Sequence, residues 1–136
     1  MIRRIAGAAL LVLTSLFPAC QNETILTEIG EIPSDPVSYA TQVNPIFQAT
    51  CGGALCHISQ ATNGVDLSTH DSALSSVGLV YGINVIEAGN ATDSPIIDKI
   101  SPSPENGSRM PLNAPTLSSE QIQTIRDWIN QGAKDN

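Results

Sequence analysis

The chain has 136 residues, 13 acids against six bases and a formal net charge of −7, a size that fits one domain. A surface of that sign repels phosphate backbones and anionic lipid, which speaks against nucleic acid and leaves a protein partner with a neutral or basic patch. Apolar residues make up 41%, yet only Phe17, Tyr39, Phe47, Tyr81 and Trp128 are aromatic. Large rings supply much of the buried area in small cores, so something other than side chains is expected to fill this one.

Met1-Ile2-Arg3-Arg4 is a basic start, Ile5 to Phe17 is an almost unbroken apolar run, and Pro18-Ala19 precedes Cys20. That is the layout of an export signal, and the run is too short for a bilayer, which takes about 20 apolar residues. Leu16-Phe17-Pro18-Ala19-Cys20 resembles the lipobox of bacterial lipoproteins, where the cysteine becomes the lipidated first residue; Phe17 stands where that family usually has leucine. The alternative is ordinary cleavage near Ala19, leaving Cys20 as a free thiol. Cleavage removes Arg3 and Arg4 and no acid, so four bases then face 13 acids, a net charge of −9. Residues 1–19 are therefore expected to be a signal peptide and 20–36 a lipidated cysteine with an acidic tether. The folded domain is expected over 37–136, held at a membrane of the cell envelope through Cys20.

Val37 to about Thr50 predicts a first helix with Tyr39, Val43, Ile46 and Phe47 inward, and an irregularity near Pro45, whose missing N–H breaks the hydrogen-bond ladder. Asp71 to Val77 predicts a short helix, and Asp93-Ser94-Pro95 opens another that runs through Ile96, Ile97 and Ile100. Four prolines and a glycine between Ser101 and Pro115 make that stretch a loop. The clearest helix is the last. Ser118-x-x-Gln121 is a capping box, Ile122, Ile125 and Ile129 share a face with Trp128 beside them, and Gly132 is placed as a stop. Gln123, Arg126, Asp127 and Asn130 form its polar face. No alternating strands stand out, so the class is all-α, with three to four short helices and long loops.

The chemistry is concentrated in Cys51-Gly52-Gly53-Ala54-Leu55-Cys56-His57. A Cys-His pair preceded by another cysteine is the attachment signature of haem c, whose two vinyl groups take the thiols while the histidine binds the iron. The usual spacing leaves two residues between the cysteines; here there are four. At about 100° per residue, a five-residue step turns the second thiol away from the first. Gly52 and Gly53 are expected to restore convergence by adopting positive φ. If one bond fails, Cys51 is expected to be the thiol left out. A disulfide between Cys51 and Cys56, or zinc held by these cysteines with His57 and His70, are the competing readings.

An electron-transfer haem takes a sixth ligand, most often methionine or histidine. Apart from Met1, the only methionine is Met110, in the loop Ser108-Arg109-Met110-Pro111, where it has few apolar neighbours to serve as core filler. His70, before a predicted helix start, is the rival ligand and is expected to be solvated instead.

Val43-Asn44-Pro45-Ile46-Phe47, the cysteines with His57, and Gly64-Val65-Asp66-Leu67-Ser68 resemble the opening of a bacterial class I cytochrome c domain. Glu87-Ala88-Gly89-Asn90 with Ser94-Pro95, then Arg109-Met110-Pro111, then Trp128-Ile129-Asn130-Gln131-Gly132-Ala133 continue the pattern in order, over about residues 37–134. The resemblance implies a haem c bound through Cys51 and Cys56, with His57 proximal and Met110 distal, and N- and C-terminal helices packed together beside the haem edge. It implies an electron carrier rather than an enzyme, and one porphyrin would supply the missing apolar bulk. The other function classes are a haem enzyme or gas or peroxide sensor with a labile sixth ligand, and a haem-free, disulfide-stapled envelope lipoprotein.

Overall fold

The computed structural model describes residues 35–136; the expected signal peptide, Cys20 and nearly all of the expected tether lie outside them. Four short α-helices carry the chain, with long connections and no strand among the described residues, only an isolated antiparallel bridge between Val77 and Asn84. The class is all-α. No helix of the described residues is long and apolar enough to cross a membrane.

The first helical stretch is divided where proline requires it. Tyr39–Val43 forms a π-helical turn, and α1 (Asn44–Thr50) follows directly with Pro45 in its first turn. Proline is harmless at a helix start because the first N–H groups have no intrahelical partner. The wider turn absorbs the missing bond: the N–H groups of both Gln42 and Val43 donate to Ser38 O, at 3.0 and 3.3 Å. Tyr39, Val43 and Phe47 are buried as expected, while Ile46 is only partly so.

Helix α2 (His70–Ser75) starts one residue before Asp71, capped by the Thr69 hydroxyl, which accepts from Ser72 N at 3.2 Å. Helix α3 (Pro95–Ile100) buries Ile96, Ile97 and Ile100. Ser94 does not cap it. Its Oγ instead donates to Asn90 O and accepts from Glu87 N, both at 2.8 Å, closing the preceding loop. In α4 (Ser119–Asn130) the capping box is complete, since Gln121 N donates to Ser118 Oγ and Ser118 N to Gln121 Oε1. Gly132, at φ +98°, turns the chain out of the helix.

Helix α4 packs against both the π turn and α3. Tyr39, Phe47 and Trp128 meet at ring-centroid distances of 5.4–6.5 Å, mostly edge to face, the arrangement that ring quadrupoles favour. The expected face of α4 is buried at Ile125, Trp128 and Ile129 and partly so at Ile122. Its expected polar face is drawn inward in two places. Asp127 is buried and accepts from Gln123 Nε2 at 2.7 Å, and Asn130 Oδ1 accepts from Ala91 N at 3.0 Å, tying the loop before α3 to α4. Tertiary packing, rather than the face's polarity, decides both.

Candidate functional site

A predominantly apolar cavity of about 290 Å³ lies between the Cys51–Leu67 segment, the Gly78–Val85 turn, α3 and the loop after it. Its wall includes Cys51, His57, Val65, Leu67, Val85, Ile96, Ile100 and Met110. The mouth is rimmed by Leu79, Val80 and Leu112, which are 75%, 55% and 58% exposed. Ordinary small-molecule sites span roughly 300–1,000 Å³ and are lined mainly by apolar side chains. An open cleft with large apolar residues bare at its mouth has the chemistry to hold an apolar ligand that they would cover.

His57 reaches the wall from a tightly bonded loop. Its N–H donates to Cys51 O at 3.2 Å, and its own carbonyl accepts from Leu67 N at 2.7 Å. Its Nδ1 lies 3.2 Å from Val65 O. A carbonyl oxygen only accepts, so Nδ1 carries the proton and the Nε2 lone pair is free for a metal. A bond of this kind fixes ring orientation and raises the basicity of the ligating nitrogen.

Cys51 and Cys56 are free thiols, with no disulfide between them. Cys51 is on the cavity wall, and burial pushes its thiol up, against a smaller lowering by the Thr50 hydroxyl and with a further rise from nearby Cys56. Cys56 is partly exposed and is not among the lining residues. Cys51, the thiol expected to be left out if one bond fails, is thus the one of the pair that stands on the cavity wall. The glycines also act otherwise than expected. Neither Gly52 nor Gly53 has positive φ; the left-handed residue is Leu55, at φ 67°. The glycines are needed for room instead: a Cβ on Gly52 would stand 2.5 Å from Gln48 O, and one on Gly53 would stand 3.0 Å from Cys56 Sγ.

Met110 joins the wall from the long loop after α3, where its N–H donates to Lys99 O at 2.7 Å. His70 is not part of the cavity. Its side chain is 12% exposed, its Nε2–H donates to Ala133 O at 2.7 Å, and its ring packs 5.0 Å from Tyr39 and 6.0 Å from Trp128. The solvated histidine expected at position 70 is instead a partly buried wedge against the aromatic core, with its Nδ1 3.3 Å from the exposed Asp71 carboxylate. Among the described residues no three His, Cys, Asp or Glu side chains converge to hold a metal ion.

Tyr81 and Lys99 are among the lining residues to which the sequence assigned no role. Tyr81 sits on the wall with its hydroxyl on the Asp98 carboxylate, and Lys99 lines it from α3. The signal for the first was the run Leu79-Val80-Tyr81 between Gly78 and Gly82, too short to pack as an element of its own. Comparison with protein-family models, curated proteins and solved structures returned no match.

Proposed function

We propose that this chain is a monohaem cytochrome c of the class I fold that carries single electrons in the cell envelope, lipid-anchored at Cys20 and serving redox partners with neutral or basic docking surfaces. The observation that supports it is the convergence of Cys51 and His57, from one loop, with Met110, far along the chain, on one apolar cavity. Cys51 and Cys56 would hold the porphyrin through thioethers, with His57 Nε2 and Met110 Sδ on the iron. Bound there, the haem supplies a one-electron ferric–ferrous couple.

The chain's own part is positioning and exclusion of water. The Val65 carbonyl holds the His57 ring in one tautomer. Val85, Ile96 and Ile100 keep the interior dry, and a low-polarity surround with a neutral thioether favours the less charged ferrous state, raising the potential above that of a bis-histidine haem.

The test is the reduced-minus-oxidised spectrum of protein made in a host that attaches haem c, with a pyridine haemochrome after denaturing electrophoresis and organic extraction. A c-type spectrum that stays with the polypeptide is the expected result; a haem-free chain overturns the proposal. Tight carbon monoxide binding by the reduced parent protein, together with no sulfur-to-iron charge-transfer band when oxidised, would move the reading to an open-site haem enzyme or sensor. For the anchor, Cys20→Ser should shift the protein from the membrane to the soluble envelope fraction with its haem retained. A variant that stays on the membrane counts against lipidation.

A further inference from the structure

The loop that carries Met110 runs from the end of α3 to the cap of α4 with no secondary structure of its own, and long bare loops in compact domains are mostly functional or loosely held. This one is fastened to the last turn of α3. Lys99 Nζ donates to Asn106 O at 2.7 Å and to Ser108 O at 2.8 Å, while the Lys99 carbonyl accepts from Met110 N at 2.7 Å. Beside it, Arg109 Nε donates to Ile100 O at 3.1 Å. One residue therefore grips the loop with both ends, its ammonium inside the Asn106–Ser108 curl and its backbone on the methionine itself.

We propose that Lys99 is a positioning residue that keeps the Met110 sulfur at the sixth site, an inference that rests on the haem reading above. Hydrogen bonds from a charged donor are roughly twice as strong as neutral ones, and an ammonium has three rotatable donors to satisfy two carbonyls at once. Without them the curl is joined to α3 by the Met110 and Arg109 bonds and by the Glu105 and Asn106 backbone N–H groups on Asp98. The sulfur then leaves the iron more often, with the haem still attached through its thioethers.

The experiment compares full-length, haem-loaded parent, Lys99→Met and Lys99→Arg. Lys99→Met keeps the aliphatic stem and the backbone contact and removes only the donors. Its haemochrome should be unchanged, its oxidised sulfur-to-iron charge-transfer band should be lost at lower temperature, and the reduced form should bind carbon monoxide roughly tenfold more readily. Lys99→Arg, whose guanidinium can still donate to both carbonyls, should restore most of the band. Parent-like band and carbon monoxide affinity in Lys99→Met overturn the inference. A parent with covalent haem but no such band overturns the Met110 assignment beneath it, and a haem-free parent overturns the cofactor. If Lys99→Met does not accumulate, Lys99→Gln keeps one donating amide: an intermediate affinity supports the brace, and the parent value sinks it.

Discussion

At the scale of single residues, on the proposed haem reading, the bonding of His57 and the placement of Met110 decide the site's chemistry. A thioether is soft and neutral and favours ferrous iron, so Met110→His should lower the reduction potential by on the order of 100 mV or more, within the ~0.8 V that ligand and surroundings span. Met110→Ala should give a reduced protein that binds carbon monoxide. A charge-transfer band that survives in Met110→Ala would remove Met110 from the iron. The attachment loop offers a second check. Gly52→Val drives a branched Cβ toward Gln48 O, so it should cost about 1–3 kcal/mol and lower the yield of attached haem. Leu55 is 68% exposed and held at φ 67°, a conformation costly to a side chain but free to glycine. Leu55→Gly should therefore keep full haem yield and match or exceed the parent's stability by up to about 1 kcal/mol, read from denaturant midpoints. Equal haem yields from Gly52→Val and the parent would remove the crowding account.

At the scale of elements, the Gly78–Val85 turn is tied to α3 through Tyr81 and Asp98. Burial first, and then the Asp98 carboxylate, push the Tyr81 phenol up to about 12. Burial also works against the Asp98 charge, but the Tyr81 hydroxyl, the Glu105 and Asn106 backbones and the Lys99 charge together hold that carboxyl below its usual range. A raised phenol favours its protonated form in the fold. Its contribution is therefore whole below the ordinary value of 10.0 and is lost as pH rises toward about 12. For Asp98 the sign is opposite: its contribution is present above the ordinary carboxylate range and is lost as pH falls below it. Tyr81→Phe should cost roughly 1–2 kcal/mol at neutral pH and flatten the fall in stability between about pH 10 and 12. Denaturant melts at stepped pH measure both. An alkaline limb as steep as the parent's would mean that the tie contributes nothing.

At the scale of the whole molecule, the two ends of the domain close on each other over the aromatic core. Asn136 accepts from the Ala40 backbone at 3.0 Å and from the Ser38 hydroxyl at 2.8 Å, and Gln131 Oε1 accepts from Val37 N at 2.7 Å. His70 joins this closure by binding Ala133 O against Tyr39 and Trp128. His70→Ala should cost about 2–4 kcal/mol, from a lost partly buried bond and the space left beside the rings, and on the proposed haem reading should leave the charge-transfer band intact at temperatures where the variant is folded. Loss of the band in the folded variant would make position 70 a ligand after all.

What the sequence by itself determined is local. The capping box at Ser118, the proline-led start of α3, an irregularity near Pro45 and the glycine after α4 follow from which backbone groups a few neighbouring residues can satisfy. The cysteines, His57 and Met110 were legible because their side chains stand out by chemical type. The tertiary structure alone decided which carbonyl orients His57, that Cys51 rather than Cys56 lines the cavity, that Lys99 braces the methionine loop and that His70, Asp127 and Asn130 turn inward. Each of these depends on a partner brought close by the path of the chain. The Gly52–Gly53 expectation failed for the same reason: torsional freedom belongs to a residue, but free space belongs to its surroundings, and here Gln48 O and Cys56 Sγ set the requirement.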